Sequence, residues 1–200
     1  MFSDHDVLIF PLNRRSTMDS RQDNNLVWMD LEMSGLDPKT CVILEIATII
    51  TDKDLNPIAQ GPALVVHQPD SILDNMDDWN KRHHKDSGLT QAVKDSKITL
   101  AEAEKQTLDF IALHCKEKGS PLCGNTIYQD RRFLIEYMPK LESYLHYRLV
   151  DVSTIKELVK RWYGPEFQSP QKKQKHKALD DILETIEELK FYRGKVFKQV

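Results

Sequence analysis

The stretch LVWMDLEMSGLD, residues 26–37, sets the pattern from which the fold can be worked out. Side chains alternate between the two faces of a strand, so the apolar Val27, Met29 and Leu31 share one face. Asp30 and Glu32 share the other face, with Cα atoms about 7 Å apart. Burying carboxylates without partners is costly. The stretch therefore predicts either an edge strand with a solvated acidic face or a central strand that belongs to a site.

The pattern after this first strand (25–32) changes from strands to helices. Two segments, CVILEIATII (41–50) and IAQGPALVVH (58–67), are typical of further strands in an antiparallel meander. Short strands are predicted at SPLCGN (120–125) and YRLVDV (147–152), between helices over 99–118, 128–138, 153–163 and 178–192. We expect Thr99 and Glu102 to form a capping box, Gly119 to end that helix, Pro139 to stop the next, and Ser153 to cap the third. This order indicates an α/β fold, with a mixed central β-sheet flanked by helices.

Composition limits the size of the domain and the class of partner. The 200 residues, 40% hydrophobic and 30% charged, fit one domain over 25–200 after an N-terminal extension of low functional content over 1–24, which we expect to be partly mobile. A second methionine, Met18, precedes the first strand, and the sequence leaves the choice between the two starts open. The net charge of −3 argues against a long nucleic-acid partner, since the basic field that such binding needs is missing. Three cysteines without metal-like spacing indicate reduced thiols and a cytoplasmic protein, and no apolar run is long enough to span a membrane.

Two further segments supply acids that can join Asp30 and Glu32. One is CGNTIYQDRRFL, which places Asp130 on a helix directly after a short strand, and the other is HKALDD, with Asp180 and Asp181 opening the last helix. Carboxylate oxygens are the ligands that Mg²⁺ and Mn²⁺ prefer, and a pair of such ions needs several carboxylates from different elements. Helical periodicity does not choose between Asp180 and Asp181. Acids in a first helical turn also favour the helix dipole without any further role.

Together these motifs resemble the DEDDh family of 3′→5′ exonucleases, which has a ribonuclease H-like fold. The segments WMDLEMSGLDP, MDDWN, GNTIYQDRRFL, HYRLVDVSTIKEL and HKALDDI are most similar to its oligoribonuclease subfamily, over residues 25–192. In the family pattern the fourth acid follows the histidine by five residues. The resemblance therefore selects Asp181, five residues after His176, and leaves Asp180 as a neighbour without an assigned role.

The resemblance implies a two-metal site for hydrolysis. Two Mg²⁺ or Mn²⁺ ions would be held by the four acids Asp30, Glu32, Asp130 and Asp181. An imidazole titrates near neutral pH, so His176 suits the role of general base toward the attacking water. The implied activity is 3′→5′ cleavage of very short RNA, above all 5′-phosphorylated dinucleotides, to nucleoside 5′-monophosphates.

The resemblance also implies substrate contacts. Leu36 would wedge between bases, Trp79 would stack on a base, and His84 would contact the phosphate or the 3′ end. The 5′ phosphate would be capped by Arg148, Ser153 and Thr126, where the family often has serine. Tyr147 would be contributed by the second subunit of a homodimer. The basic loop around His176 (Lys172, Lys173, Lys175 and Lys177) would assist the phosphates.

Three other functions fit parts of the same pattern. The chain can be read as a general or proofreading exonuclease on DNA ends, as a catalytically silent nucleic-acid-binding module, or as a two-metal phosphohydrolase for small nucleotides. Each assigned residue also has an ordinary structural interpretation, such as a core tryptophan, a turn leucine or a surface Arg-Tyr pair. Length preference and metal dependence of cleavage separate these alternatives.

Overall fold

A mixed sheet lies at the centre of the computed structural model, which describes residues 24–169 and 177–198. Within these ranges the order is β3-β2-β1-β5-β6, and β4 pairs with β2 as well. β1 runs antiparallel to β2 and parallel to β5, and β5 runs parallel to β6. The strands are β1 (Leu26–Met33), β2 (Ile43–Thr51), β3 (Pro57–Gln60), β4 (Leu64–Val65), β5 (Pro121–Gly124) and β6 (His146–Asp151).

Helices cover both faces of this sheet. The face with Val27, Met29 and Leu31 belongs to one buried cluster, and Trp28 on the other face packs with Ile182 and Ile186 of the last helix. The predicted α/β fold with a mixed, helix-flanked sheet is therefore confirmed. The helices are α1 (Asp70–Asp74), α2 (Asp78–Asp86), α3 (Leu89–Asp95), α4 (Leu100–His114), α5 (Tyr128–Tyr137), α6 (Pro139–Tyr144), α7 (Val152–Trp162) and α8 (Ala178–Lys195), with a 3₁₀ turn at Pro165–Phe167.

The predicted third strand is interrupted, because β3 and β4 pair separately with β2 on either side of Gly61 and Pro62. Gly61 still donates its N–H to the Thr48 carbonyl, at 2.9 Å. Pro62 has no N–H with which to continue the ladder. The chain therefore leaves and rejoins the sheet at this point.

Helix ends agree with the sequence in two cases and differ in two. The capping box of Thr99 and Glu102 is confirmed. α4 ends at His114, before the predicted Gly119. α5 stops before Pro139 as predicted. Pro139 also opens α6, because a proline at the first helical position loses no intrahelical bond. The cap of α7 is Asp151, whose side chain accepts from the Ser153 N–H, so the prediction of Ser153 as cap is wrong.

Some predictions fall outside the described residues. Residues 1–23 of the predicted extension lie outside the described ranges. The same holds for His176 and for Lys172, Lys173 and Lys175 of the basic loop. The division into this extension and a domain over 25–200 stays a prediction. No helix within the described ranges is long and apolar enough to cross a membrane. All three cysteines are free thiols.

Candidate active site

The acidic face of β1 meets the start of α8. Carboxylate oxygens of Asp30, Glu32 and Asp181 lie within 4.8 Å of one another, and we call these three residues the acidic cluster. β1 lies between β2 and β5, so the alternative of a solvated edge strand is wrong. Because α8 crosses this face of the sheet with Ile182 and Ile186 packed beneath it, its first turn is fixed over the strand. The cluster contains Asp181 and not Asp180.

Asp130 lies beside the acidic cluster and is almost completely buried in the first turn of α5. Its Oδ1 accepts a hydrogen bond of 2.9 Å from the N–H of Leu31, the residue between Asp30 and Glu32. Burial raises the pKa of Asp130 to about 7, although this hydrogen bond opposes the shift. The structure thus brings the mid-chain acid of the family pattern to the backbone of the strand that carries the first two.

Burial and neighbouring negative charges both act on the pKa of Glu32. Burial, followed by the charges of Glu45, Asp181 and Asp130, raises its pKa from 4.5 to about 8. Glu45 is the cross-strand partner of Glu32 on β2, and burial raises its pKa as well. Such a group of carboxylates needs a cation to be charged together at neutral pH. Glu45 was missed by the sequence analysis, although it is the one acid inside the apolar segment CVILEIATII.

The donor set fits a divalent metal of the hard kind. The acidic cluster offers oxygen atoms only, and these are close enough to share a cation. A raised pKa is expected for Glu32 when its neighbours are also carboxylates and no cation is bound, and a bound cation would reverse this shift. Asp30, Glu32 and Asp181, with Asp130 beside them, are the residues that would hold it.

Leu36, in the turn after β1, and Trp79, on α2, are two of the predicted substrate residues. Leu36 is 72% exposed, and its carbonyl accepts hydrogen bonds from the side chains of Gln129 and Arg132. Trp79 is 65% exposed and stacks on His83 with ring centroids 4.6 Å apart. Two large apolar side chains are therefore presented to solvent. Their contact with bases stays a prediction.

His84 lies beneath this surface rather than on it. It is only 1% exposed; its Nε2 lies 2.9 Å from the Met33 carbonyl oxygen, and its Nδ1 lies 3.9 Å from Oε2 of Glu32. Burial lowers the pKa of His84. The sequence-predicted histidine is therefore adjacent to an acid of the cluster, whereas its contact with a substrate is not tested.

Thr126 and Ser153 meet where β5 and β6 end. Their hydroxyl oxygens lie 3.1 Å apart, and the Thr126 N–H donates to both the Asp151 carboxylate and Ser153 Oγ, at 3.0 Å each. Asn125 continues this network, because it accepts from Ser153 and donates to Thr185 of α8 at 2.8 Å. Two of the predicted 5′-phosphate contacts are thus neighbours, and Asn125 connects them to the helix of Asp181.

Tyr147 and Arg148 lie on β6, at one edge of the described part of the sheet. Tyr147 is 71% exposed, and the Arg148 guanidinium carbon lies 5.4 Å from its ring centroid. Neither residue is a member of the acidic cluster. Their roles at the 5′ end and across a dimer stay predictions.

Comparisons with known proteins match most of the chain to one family model and to curated relatives. The RNase T model of exonucleases matches residues 27–189. Among curated relatives, oligoribonucleases of Chromobacterium violaceum and Shewanella amazonensis are 53% and 58% identical, over 90% and 87% of this chain and 99% and 96% of theirs.

Among solved structures, Escherichia coli exonuclease I in complex with a 5cy-dT13 oligonucleotide superposes with a TM-score of 0.67 at 15% identity. This match covers 88% of our chain and 42% of that one, so our chain spans less than half of exonuclease I. At this identity the likeness concerns the fold alone, which is the expected exonuclease fold. With the curated relatives and the exonuclease model taken together, the chain belongs to the oligoribonuclease family of exonucleases.

Proposed function

We propose that the protein is a 3′→5′ exoribonuclease that degrades very short RNA, above all 5′-phosphorylated dinucleotides, to nucleoside 5′-monophosphates. The observation that carries this proposal is the acidic cluster on β1 and α8, with Asp130 bonded to the strand between its first two members. Membership of the oligoribonuclease family supports short RNA as the substrate. Free cysteines are consistent with a cytoplasmic enzyme.

In the proposed reaction, water attacks the phosphorus of the last phosphodiester, the bond from phosphorus to the 3′ oxygen breaks, and a nucleoside 5′-monophosphate leaves. Two Mg²⁺ or Mn²⁺ ions, held by Asp30, Glu32, Asp130 and Asp181, would supply stabilisation of charge on the phosphate oxygens. His176 would accept the proton of the attacking water as general base. The proton for the leaving oxygen comes from solvent.

Recognition of both ends of a dinucleotide explains how a chain of net charge −3 binds an anionic substrate. Leu36 and Trp79 would contact the bases from the exposed rim. Thr126, Ser153 and Arg148 would contact the 5′ phosphate, for which a guanidinium is a strong charge-assisted donor. A substrate held at its two ends needs no extended basic groove.

We further propose a homodimer in which Tyr147 reaches the neighbouring site. Its support is the 71% exposure of this side chain on an edge strand, beside Arg148. Sedimentation at several protein concentrations measures the assembly. A monomer that is fully active on dinucleotides excludes the proposed role of Tyr147.

The decisive experiment compares 5′-phosphorylated RNA dinucleotides, tetramers and ten-mers in Mg²⁺ and in EDTA. We expect the dinucleotide to be cleaved far faster than the ten-mer, with nucleoside 5′-monophosphates as products and no cleavage in EDTA or with Asp30→Ala. Equal rates on all lengths overturn the dinucleotide preference. Cleavage of DNA ends at equal rates favours a general exonuclease, and absence of cleavage with retained binding favours a silent module.

A further inference from the structure

A second group of metal-ligating side chains touches the acidic cluster from the side of α2. Ligand atoms of Glu32, His83 and His84 lie within 4.8 Å of one another. This group shares Glu32 with the acidic cluster but replaces the two aspartates with imidazoles. Its nitrogen donors favour a different class of cation from the oxygen-only set.

His84 is oriented as a metal ligand would be. Its Nε2 lies 2.9 Å from the Met33 carbonyl oxygen, which can only accept, so Nε2 carries the ring proton. The Nδ1 lone pair is then directed elsewhere, and this atom is buried without a hydrogen-bond partner among the described residues. A histidine that binds a metal through one ring nitrogen usually donates from the other to a carbonyl or carboxylate. Here the free lone pair faces Glu32 Oε2, at 3.9 Å.

His83 is held in place by two aromatic contacts. Its ring stacks on Trp79 at a centroid distance of 4.6 Å and meets the edge of the His84 ring at 5.4 Å. The helix beneath both histidines is fixed by Asp77, whose side chain accepts from the Asn80 N–H at the start of α2. Both imidazole rings are on short side chains that are already held in place. Binding of one ion by both rings would therefore cost little side-chain entropy.

We propose that Glu32, His83 and His84 form a second cation site, which takes Zn²⁺. Two imidazoles and one carboxylate are a common three-residue set for this ion, with a fourth position left to water. Occupation of the site would inhibit hydrolysis, because Glu32 would be withdrawn from the acidic cluster. The inhibition rests on the proposed function, whereas zinc binding does not.

Calorimetry with ZnCl₂ tests the site most directly in the Asp181→Asn background, which weakens the oxygen-only set. We expect zinc to bind this variant and Mg²⁺ not to replace it. Adding His83→Gln or His84→Gln should weaken zinc binding by at least about tenfold, the loss typical of a damaged site. His114→Gln is the matched control, since that ring packs on Phe110 and belongs to neither group. Circular dichroism checks that each variant is folded.

Zinc affinity that both histidine variants leave unchanged overturns the proposal, and so does zinc binding that Asp181→Asn alone removes. His83 is partly exposed, so this variant decides the matter if His84→Gln does not fold. Dinucleotide hydrolysis in Mg²⁺ without zinc tests the proposed function separately. In that assay we expect zinc to inhibit the parent chain, and His83→Gln to need about tenfold more zinc for the same inhibition.

Discussion

The N–H of Leu31 donates to Oδ1 of Asp130, and this 2.9 Å hydrogen bond fixes a helical acid against the strand that carries Asp30 and Glu32. Asp130→Asn keeps an oxygen for that N–H but removes the charge, whereas Asp130→Ala leaves the buried donor unpaired. We expect both variants to lose hydrolysis. Only Asp130→Ala should also lose stability, by about 1–3 kcal/mol. Urea denaturation in EDTA measures the difference, and an active Asp130→Asn would contradict the metal-site assignment.

Metal and pH should act on stability through Glu32. Its pKa is about 8 in the folded chain and 4.5 ordinarily, so between these values the folded state binds more protons than the unfolded state. The contribution of Glu32 to the stability of the metal-free protein should therefore be largest below this window and fall as pH rises through it. A cation at one hundred times its Kd should restore about 2.7 kcal/mol. The restoration should be largest near the top of the window, where Glu32 needs no deprotonation.

Thermal melting across this pH window, in EDTA and in Mg²⁺, measures the linkage. Glu32→Gln is the matched variant, because it keeps the shape of the side chain without its titration. We expect a flatter pH dependence and a smaller Mg²⁺ effect in this variant. If the melting temperature of the parent protein changes neither with pH nor with Mg²⁺, the acidic cluster holds no cation.

Arg148→Ala should separate recognition of the 5′ phosphate from the chemistry. A hydrogen bond to a charged group contributes about 1.5–3 kcal/mol, so KM for a 5′-phosphorylated dinucleotide should rise roughly tenfold to a hundredfold. The dinucleotide without this phosphate should be unaffected. Arg161→Ala is the control, since Arg161 pairs with Glu157 on α7. Equal losses on both substrates would assign Arg148 to the fold or to the dimer.

The placement of the two acids on β1 could be predicted from sequence because it depends only on neighbouring residues of one strand. A period of two places Asp30 and Glu32 on one face, and the Val27 face is buried as expected. The capping box at Thr99 likewise depends only on residues close to it in the sequence. Asp181 was chosen over Asp180 by family spacing and not by periodicity. The cluster agrees with that choice because the first turn of α8 is set by the packing of its later residues.

The remaining parts of the site depend on register and on packing between distant segments. Glu45 lies opposite Glu32 only in the pairing of β2 with β1, which no short pattern encodes. His83 and His84 reach Glu32 from α2, a polar helix with few apolar residues to mark it. The break between β3 and β4 was missed although Gly61 and Pro62 are visible in the sequence, because apolar residues lie on both sides of them.

Leu36 offers a test of substrate contact that is independent of the metals. Its side chain is 72% exposed, and its backbone is held through the carbonyl by Gln129 and Arg132, so truncation should leave the turn intact. We expect Leu36→Ala to lower kcat/KM on dinucleotides about tenfold, comparable to the loss of one base-stacking contact. The melting temperature should not change. Leu113→Ala removes a similarly exposed leucine from α4 and should leave hydrolysis unaltered. Equal activity of the two variants would show that Leu36 does not touch the bases.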